Sequence, residues 1–472
     1  MSSGDSVLIQ NRFDDSREQR KTINTQHMNK TPPDSRPGHD TISQQYDFLP
    51  YPEIPVETPV SDRYAALYSH NLVTAYYRRD QHVVESDGRT ILDAGCGSGQ
   101  TTLLLAEANP GAKITGIDIS EKSLVQARKR LVSHGFTDVE FRILPIERAG
   151  ELQQEFDYIN CEEVLYLLPD PAEGLRALKS SLKPDGILRA NLHCKFQRQK
   201  FFMAQQLGET LGLLHGENQS HQVNAFRMLM KSLKDNSSLK SDCWNNEYES
   251  NTQNILSNHL IRGDKGSTIP ELFRSLDSAG LEFISMVDWQ SWDLEDLFKT
   301  RDDLPDEVRV ILDGENEQQK LYLFQLLAYN HRLLDFWCCR PQKKTQSSRS
   351  VNSWKMENWL TSSVHLHPQA RQTSIKTDLI ASILTLRPFD FHSKLPLRGG
   401  SAILDSVLQS VLLPLWDSPM SFTELVARWL QIRPVSPLTL KPTDKQEAFL
   451  SVKRLVQTLE TKGYLMVVPR SD

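Results

Sequence analysis

The 472-residue sequence predicts an α/β fold built on a doubly wound parallel sheet, and three observations carry that expectation. The run Ile91-Leu92-Asp93-Ala94-Gly95-Cys96-Gly97-Ser98-Gly99 reads as a buried strand, a glycine turn and a helix start. Alternating glycines let a backbone turn sharply and approach a ligand closely. About half a βαβ unit later, Ile117-Asp118-Ile119 ends a second strand in a carboxylate. From Arg89 to Leu192, short apolar segments then alternate regularly with helical patterns, which implies right-handed crossovers between parallel strands.

Each element follows from its own pattern. Residues 1–40 are polar, with almost no spaced apolar positions, and read as a disordered tail. The proline-punctuated stretch from Tyr46 to Pro55 should run extended over a surface. A helix is expected from Ser61 to about Arg79, its Ala65, Leu67, Leu72, Ala75 and Tyr76 packing across the sheet edge. Strand 90–94 leads to a helix ending near Asn109-Pro110-Gly111. Strand 113–119 leads to a helix with Leu124, Ala127, Leu131 and Val132 on one face and Gly135 as its cap. Strands at 139–144 and 156–160 follow, then a helix opened by Pro171, a turn at Lys183-Pro184-Asp185-Gly186 and a fifth strand from Ile187 to Leu192. The alternation stops over roughly 195–268, where amphipathic pieces at 201–214 and 223–233 suggest a helical cap. It resumes with a helix from Ile269 to Gly280, a strand at 281–287, a helix near 317–330 and a strand at 333–338.

The spacing selects the ligand. A dinucleotide site uses G-x-G-x-x-G to seat a pyrophosphate on a helix N-terminus, but here the spacing is G-x-G-x-G, with Gln100 where that pattern wants its third glycine. The carboxylate of Asp93 would disfavour a phosphate and favour a cation. S-adenosylmethionine has a sulfonium, an ammonium and a ribose for Asp118, and no phosphate. With Asp93 to Gly99 as first motif and Asp118 as second acidic position, the chain resembles the class I S-adenosylmethionine-dependent methyltransferases over roughly residues 60–340. The resemblance implies a seven-stranded Rossmann-like sheet with a closing antiparallel hairpin. It also implies S-adenosylmethionine as cofactor, held by Asp93, Gly95, Cys96, Gly97, Gly99, Asp118, Ile119, Ile146 and Cys161, and methyl transfer as the activity. The donor methyl would point to the end of the fourth strand, near Cys161, Glu162, Glu163, Leu165 and Tyr166. Where many members carry an adenine-binding aspartate, this chain has Ile143-Leu144-Pro145-Ile146-Glu147, so backbone at 144–146 or Glu147 would do that work. The Tyr46–Pro55 stretch resembles the segment before the core of bacterial members with an additional C-terminal regulatory-type domain, which would fold Tyr46 or Tyr51 over the cofactor.

Two residues are candidates for catalysis proper. Glu162 lies beside the expected methyl position, and His193, at the end of the fifth strand, could serve as a general base. In-line displacement from a sulfonium can also proceed by positioning alone. The acceptor, a small molecule or a protein, would be shaped by the cap, whose Phe201, Phe202, Trp244 and Tyr248 mix aromatic with polar character.

Composition narrows the partners. The formal net charge is -6, which argues against a nucleic-acid surface, and there is no run of about 18 apolar residues for a membrane span. Six cysteines without a C-x-x-C pair give no zinc spacing and no disulfide framework, so no metal and a cytoplasmic setting are expected. Organisation is read as a tail at 1–40, a methyltransferase domain at 41–340, a polar linker at 341–375 and a small winged-helix-like domain at 376–472. His365 and His367 fall in that linker and are expected in solvent. The last domain has 12 Lys+Arg against 9 Asp+Glu, a difference of +3, too small to argue for DNA and better suited to a protein partner. The rival reading is a non-catalytic nucleoside-binding protein that regulates a partner through this domain.

Overall fold

The computed structural model of the protein describes residues 46–469 apart from Leu49, 216–218, 315, 343–350, 398 and 438. The 1–40 tail lies outside the described residues. Seven strands form one sheet: β1 (Thr90–Ala94), β2 (Lys113–Asp118), β3 (Glu140–Ile143), β4 (Phe156–Cys161), β5 (Leu182–His193), β6 (Glu282–Met286) and β7 (Leu333–Cys339). Their order is β3-β2-β1-β4-β5-β7-β6. The first five run parallel, and β7 is antiparallel to both β5 and β6. This is the seven-stranded Rossmann-like sheet of the methyltransferases. The order reverses between β1 and β4, which opens a crevice beyond their C-terminal ends. Both strands are covered on two faces, so Leu92, Ile159 and Ile91 are fully buried, and this is why they read as apolar runs rather than alternating ones.

Two local expectations are corrected. The single helix at 61–79 is two, Tyr64–His70 and Leu72–Asp80. Asn71 between them is extended, and its side chain caps the Val73 N–H at 2.9 Å while donating to the Ala108 carbonyl at 2.7 Å. The turn at Lys183–Gly186 lies inside β5 as a bulge, since pairing with β4 jumps from Phe156–Leu182 to Tyr158–Ile187. Lys183 reaches the Asp157 carboxylate at 2.7 Å and ties the bulge down.

The cap consists of helices Gln199–Thr210, Gln219–Ser232, Ser238–Cys243, Asn246–Ser250 and Thr252–Leu256. It has its own small core around Phe201, Val223, Phe226, Met230 and Ile255. Helix Ile269–Ala279 then returns the chain to the sheet, opened by a capping box between Thr268 and Glu271 and closed by Gly280.

Residues 351–375, expected as linker, belong to the C-terminal unit. They contain a helix at Met356–Thr361 and strand β8 (Ser363–Leu366). Polar composition masked a short alternation in which Val364 and Leu366 point inward. Downstream come β9 (Phe389–Asp390), β10 (Ile403–Leu404), β11 (Met420–Ser421) and β12 (Leu465–Val468), with helices Thr373–Leu384, Ser406–Leu412, Phe422–Ile432 and Lys445–Thr461. β8 is the middle of an antiparallel β11-β8-β12 sheet. The expectation that His367 faces solvent is wrong, because it is buried with its Nε2 2.9 Å from Thr74 Oγ1 and its ring against Tyr68; His365 is half-buried. The unit thus docks on helix Leu72–Asp80. Tyr77 seals the contact, its hydroxyl donating to Glu460 at 2.9 Å and accepting from the Val467 N–H at 3.0 Å. All six cysteines are free and buried, and among the described residues no helix is long and apolar enough to cross a membrane.

Candidate active site

The glycine turn forms the floor of the crevice. Gly97 has φ +52°, and a Cβ there would lie 2.4 Å from the Tyr51 carbonyl oxygen, so no side chain fits. Its N–H donates to Asp118 Oδ2 at 2.9 Å, while the Ser120 N–H donates to Oδ1 at 2.9 Å. The Asp118 carboxylate is thereby fixed at the end of β2, and burial pushes its pKa up. The helix that begins at Gln100 leaves the Gln100 Oε1 buried with no hydrogen-bond partner among the described residues. A buried carbonyl oxygen without a donor is costly unless a ligand supplies one.

Beyond the strand ends lies a cavity of ≈ 790 Å³. Of the residues expected from sequence, Gly95, Cys96, Gly97, Asp118, Ile119, Ile146 and Glu162 line it. Leu144 and Glu147 line it where the adenine was expected, and Tyr46 and Tyr51 line it from above. Asp93, Gly99, Cys161 and His193 do not form its wall. Asp93 lies beneath the turn, where its carboxylate accepts from Thr102 Oγ1 at 2.6 Å and Asn160 Nδ2 at 3.1 Å. Burial pushes its pKa up to about 6 against the pull of those two donors. Gly99 precedes the helix with φ +82°, and a Cβ there would sit 2.7 Å from the Ala127 backbone, so its place is close helix packing. Cys161 is buried inside β4, and burial drives its thiol well above the ordinary range.

The strap over this cavity is held from below. Arg130, fully buried, donates to the carbonyls of Ser98 (3.0 Å), Pro55 (2.9 Å) and Ile54 (2.7 Å), which joins the glycine turn to the strap. From the cap side, Gln253 accepts from the Glu53 N–H at 2.8 Å and donates to the Pro50 carbonyl at 3.2 Å.

Two adjacent carboxylates sit at the end of β4. Glu162 accepts from Arg189 at 2.6 Å and lies 2.7 Å from His70 Nε2. Burial alone would raise its pKa, but Arg189 and His70 outweigh burial and hold it well below the carboxylate range. Arg189 also bridges Asp335 at 2.8 Å, and there burial prevails and pushes the carboxyl up. Glu163 has φ +61°, a left-handed conformation uncommon for a residue with a side chain. Its N–H donates to Asn191 Oδ1 at 2.8 Å, and its carboxylate accepts from Tyr166 at 2.7 Å and from both Arg332 prongs. Burial is again the largest influence on Glu163, yet Arg332 reverses it and lowers the pKa.

His193 is buried behind this wall. Its Nδ1 lies 2.7 Å from Asp264, its Nε2 lies 3.2 Å from an Arg332 prong, and its ring stacks on Tyr166 at 3.7 Å. Burial lowers its pKa, so the ring is neutral at pH 7, with Nδ1 donating and Nε2 accepting. Both nitrogens are therefore engaged within the protein.

Of the aromatic cap residues, Tyr248 reaches a cavity wall, while Phe201 and Trp244 surround His259 inside the cap. Sequence reasoning passed over Arg130, His70, Asp264 and Arg332. Arg130 sits in a charged helical run and carries no sign of its burial, and the other three meet the site only through the fold. Gln100 was noted only for what it excluded. Among the described residues no group of side chains has the makings of a metal site.

Comparison with known proteins agrees with this geometry. Residues 85–275 match the family model described as "Methyltransferase domain". An uncharacterized protein of Synechococcus sp. is 30% identical over 294 residues, which cover 61% of this chain and 68% of that protein. The ubiquinone biosynthesis O-methyltransferase of Bordetella avium is 42% identical over 100 residues, 21% of this chain and 40% of that enzyme. In fold, the chain is similar to PKMT2 from Rickettsia typhi in complex with AdoHcy, with a TM-score of 0.53 and 16% identity over 89% of this chain and 78% of that one. The chain belongs to the class I S-adenosylmethionine-dependent methyltransferases, enzymes whose cofactor is S-adenosylmethionine.

Proposed function

We propose that the ≈ 790 Å³ cavity holds S-adenosylmethionine and that the cap presents an acceptor to it. The observation that carries this reading is the meeting, in one cavity, of the Gly95–Gly97 turn, the fixed Asp118 carboxylate and the unpartnered Gln100 Oε1. Asp118 is placed to accept the ribose hydroxyls. Gln100 offers its oxygen to a donor such as the ammonium, and Leu144 and Ile146 offer an apolar bed to the adenine. The cofactor supplies a methyl group already activated by a sulfonium. What remains for the protein is to bind, orient and exclude water, and positioning of this kind contributes on the order of 7–11 kcal/mol.

Glu162 acts through its charge in this reading. A carboxylate held ionised by Arg189 and His70 favours a cation at the cavity wall and is a poor proton acceptor. His193 is a positioning residue, which with Asp264 fixes Arg332 and Tyr166 behind Glu163. The acceptor is a small molecule or an extended group of a larger one that enters between strap and cap.

The test is calorimetry of AdoHcy with the full chain and with Asp118→Ala. Removing one charge-assisted hydrogen-bonding group costs roughly 1.5–3 kcal/mol, so affinity should fall from about tenfold to a few hundredfold. Unchanged affinity in the variant would remove Asp118 from the ribose site.

A further inference from the structure

A second, smaller cavity of ≈ 230 Å³ adjoins the first. The two share three wall residues, Tyr46, Tyr51 and Glu163. These residues form a partition at the end of β4, the side of the large cavity where a methyl group would be delivered. The smaller cavity reaches the surface beside Glu247, which is exposed.

We infer that the smaller cavity receives the nucleophilic end of the methyl acceptor, and that this end is an amine. The inference rests on the cofactor reading above and adds the substrate class. Charge is the first argument. Arg332 is spent on Glu163, which it grips with both prongs, so this pair is neutral as a unit. Glu247 is left as the net charge of the wall, its Oε1 accepting, among the described residues, only from the Asn254 amide at 2.9 Å. Tyr46, Tyr51 and Tyr248 line the same space, and none of their hydroxyls is hydrogen-bonded to a group among the described residues. An acidic mouth with aromatic walls and free hydroxyls suits an ammonium and repels a carboxylate or phosphate.

The second argument is that, among the described residues, the groups that could act as a base at the partition itself are already engaged, Glu247 lining only the smaller cavity. Glu162 and Glu163 are each held in ion pairs, and both nitrogens of His193 are engaged. A hydroxyl acceptor must lose its proton as it attacks, and so needs such a base. An amine can lose its proton to water beforehand and then carries its own lone pair. The step balances. The ammonium gives one proton to water, and the nitrogen lone pair then forms the N–CH3 bond. The C–S bond breaks with its electron pair left on sulfur, giving a methylammonium and a neutral thioether.

The experiment uses the full chain saturated with AdoHcy and three probes of equal size, n-propylammonium, n-propanol and propionate, followed by ligand-observed NMR. Propylammonium is expected to bind, with affinity reduced at least fivefold by Glu247→Gln and reduced again by Tyr248→Phe. AdoHcy calorimetry on each variant establishes that it is folded. Binding of propanol or propionate as tight as that of propylammonium, or binding unaffected by both substitutions, would overturn the amine assignment while leaving the cofactor reading intact. Failure of the wild-type chain to bind AdoHcy would overturn both.

Discussion

The floor of the large cavity comes from one stretch of chain, Gly95 to Ile119, folded as a turn, a helix and a strand. The small cavity draws Tyr46, Glu163, Tyr248 and Arg332 from four separate segments that meet only when strap, sheet and cap have assembled. The first kind of site is fixed by local backbone geometry. The second depends on long-range docking, so substitutions in the two should fail differently. A change in the glycine turn should abolish binding outright, whereas a change in the docking should grade it.

The largest effect is expected at Gly97. With φ +52° and the Tyr51 carbonyl oxygen 2.4 Å from where a Cβ would lie, Gly97→Val must either push the strap away or distort the turn that presents its N–H to Asp118. Such strained backbone costs about 1–3 kcal/mol before any steric clash is added. AdoHcy affinity measured by calorimetry should fall by on the order of 100-fold or more. A variant that bound within threefold of wild type would show that the turn yields, and the contrast with the small cavity would lose its basis.

This contrast also explains what could be read from sequence. The turn and the strand-ending Asp118 are local patterns with one geometric meaning, so their placement on the cavity wall followed from spacing. Asp93 shows the limit of the same logic. Its position before the turn was legible, but its carboxylate is occupied by Thr102 and Asn160 under the floor, and nothing in its spacing distinguishes facing the ligand from supporting the turn. Glu162 and Glu163 were placed beside the reacting centre, yet their pairing with Arg189 and Arg332 makes them fixed charges. Such partners lie far along the chain and have no periodic signal. In the C-terminal unit helix Thr373–Leu384 was not expected from sequence, and β8 was hidden by its serine and histidine residues. Four residues with two inward side chains are too short a pattern to stand out in a polar stretch.

An intermediate effect is expected where the two cavities depend on the same brace. Arg130 ties the glycine turn to the strap through three carbonyls, and the strap carries Tyr51 into both walls. Arg130→Met keeps much of the buried volume and removes all three donors. Because the strap remains tied to the cap through Gln253, only part of that energy should be lost to binding, giving roughly a tenfold weaker AdoHcy affinity. Limited proteolysis should newly cut within residues 50–56. If affinity fell while the strap stayed protected, Arg130 would be acting through the turn alone.

An effect on stability, not on binding, separates the sheet from the unit docked on it. His367 is buried between the two, and burial drives its pKa down to about 3, so in the folded protein it stays neutral throughout the mildly acidic range. In the unfolded chain it takes up a proton below about pH 6.5. The unfolded state then binds more protons than the native state, and stability falls as pH drops from 6.5 toward 3. Between pH 7 and pH 5 this one ring should cost about 2 kcal/mol. His259 inside the cap, its pKa lowered to about 4 by burial, adds a similar loss that belongs to the cap. Chemical denaturation of His367→Gln at the two pH values should therefore show a smaller acid loss than wild type by about 2 kcal/mol. Hydrogen exchange should place the difference in 363–366 and 465–468, the strands against helix Leu72–Asp80. An acid loss equal to that of wild type would mean that the docked unit opens before His367 titrates. The interface would then be a weaker joint than the cap core, although both bury a neutral histidine.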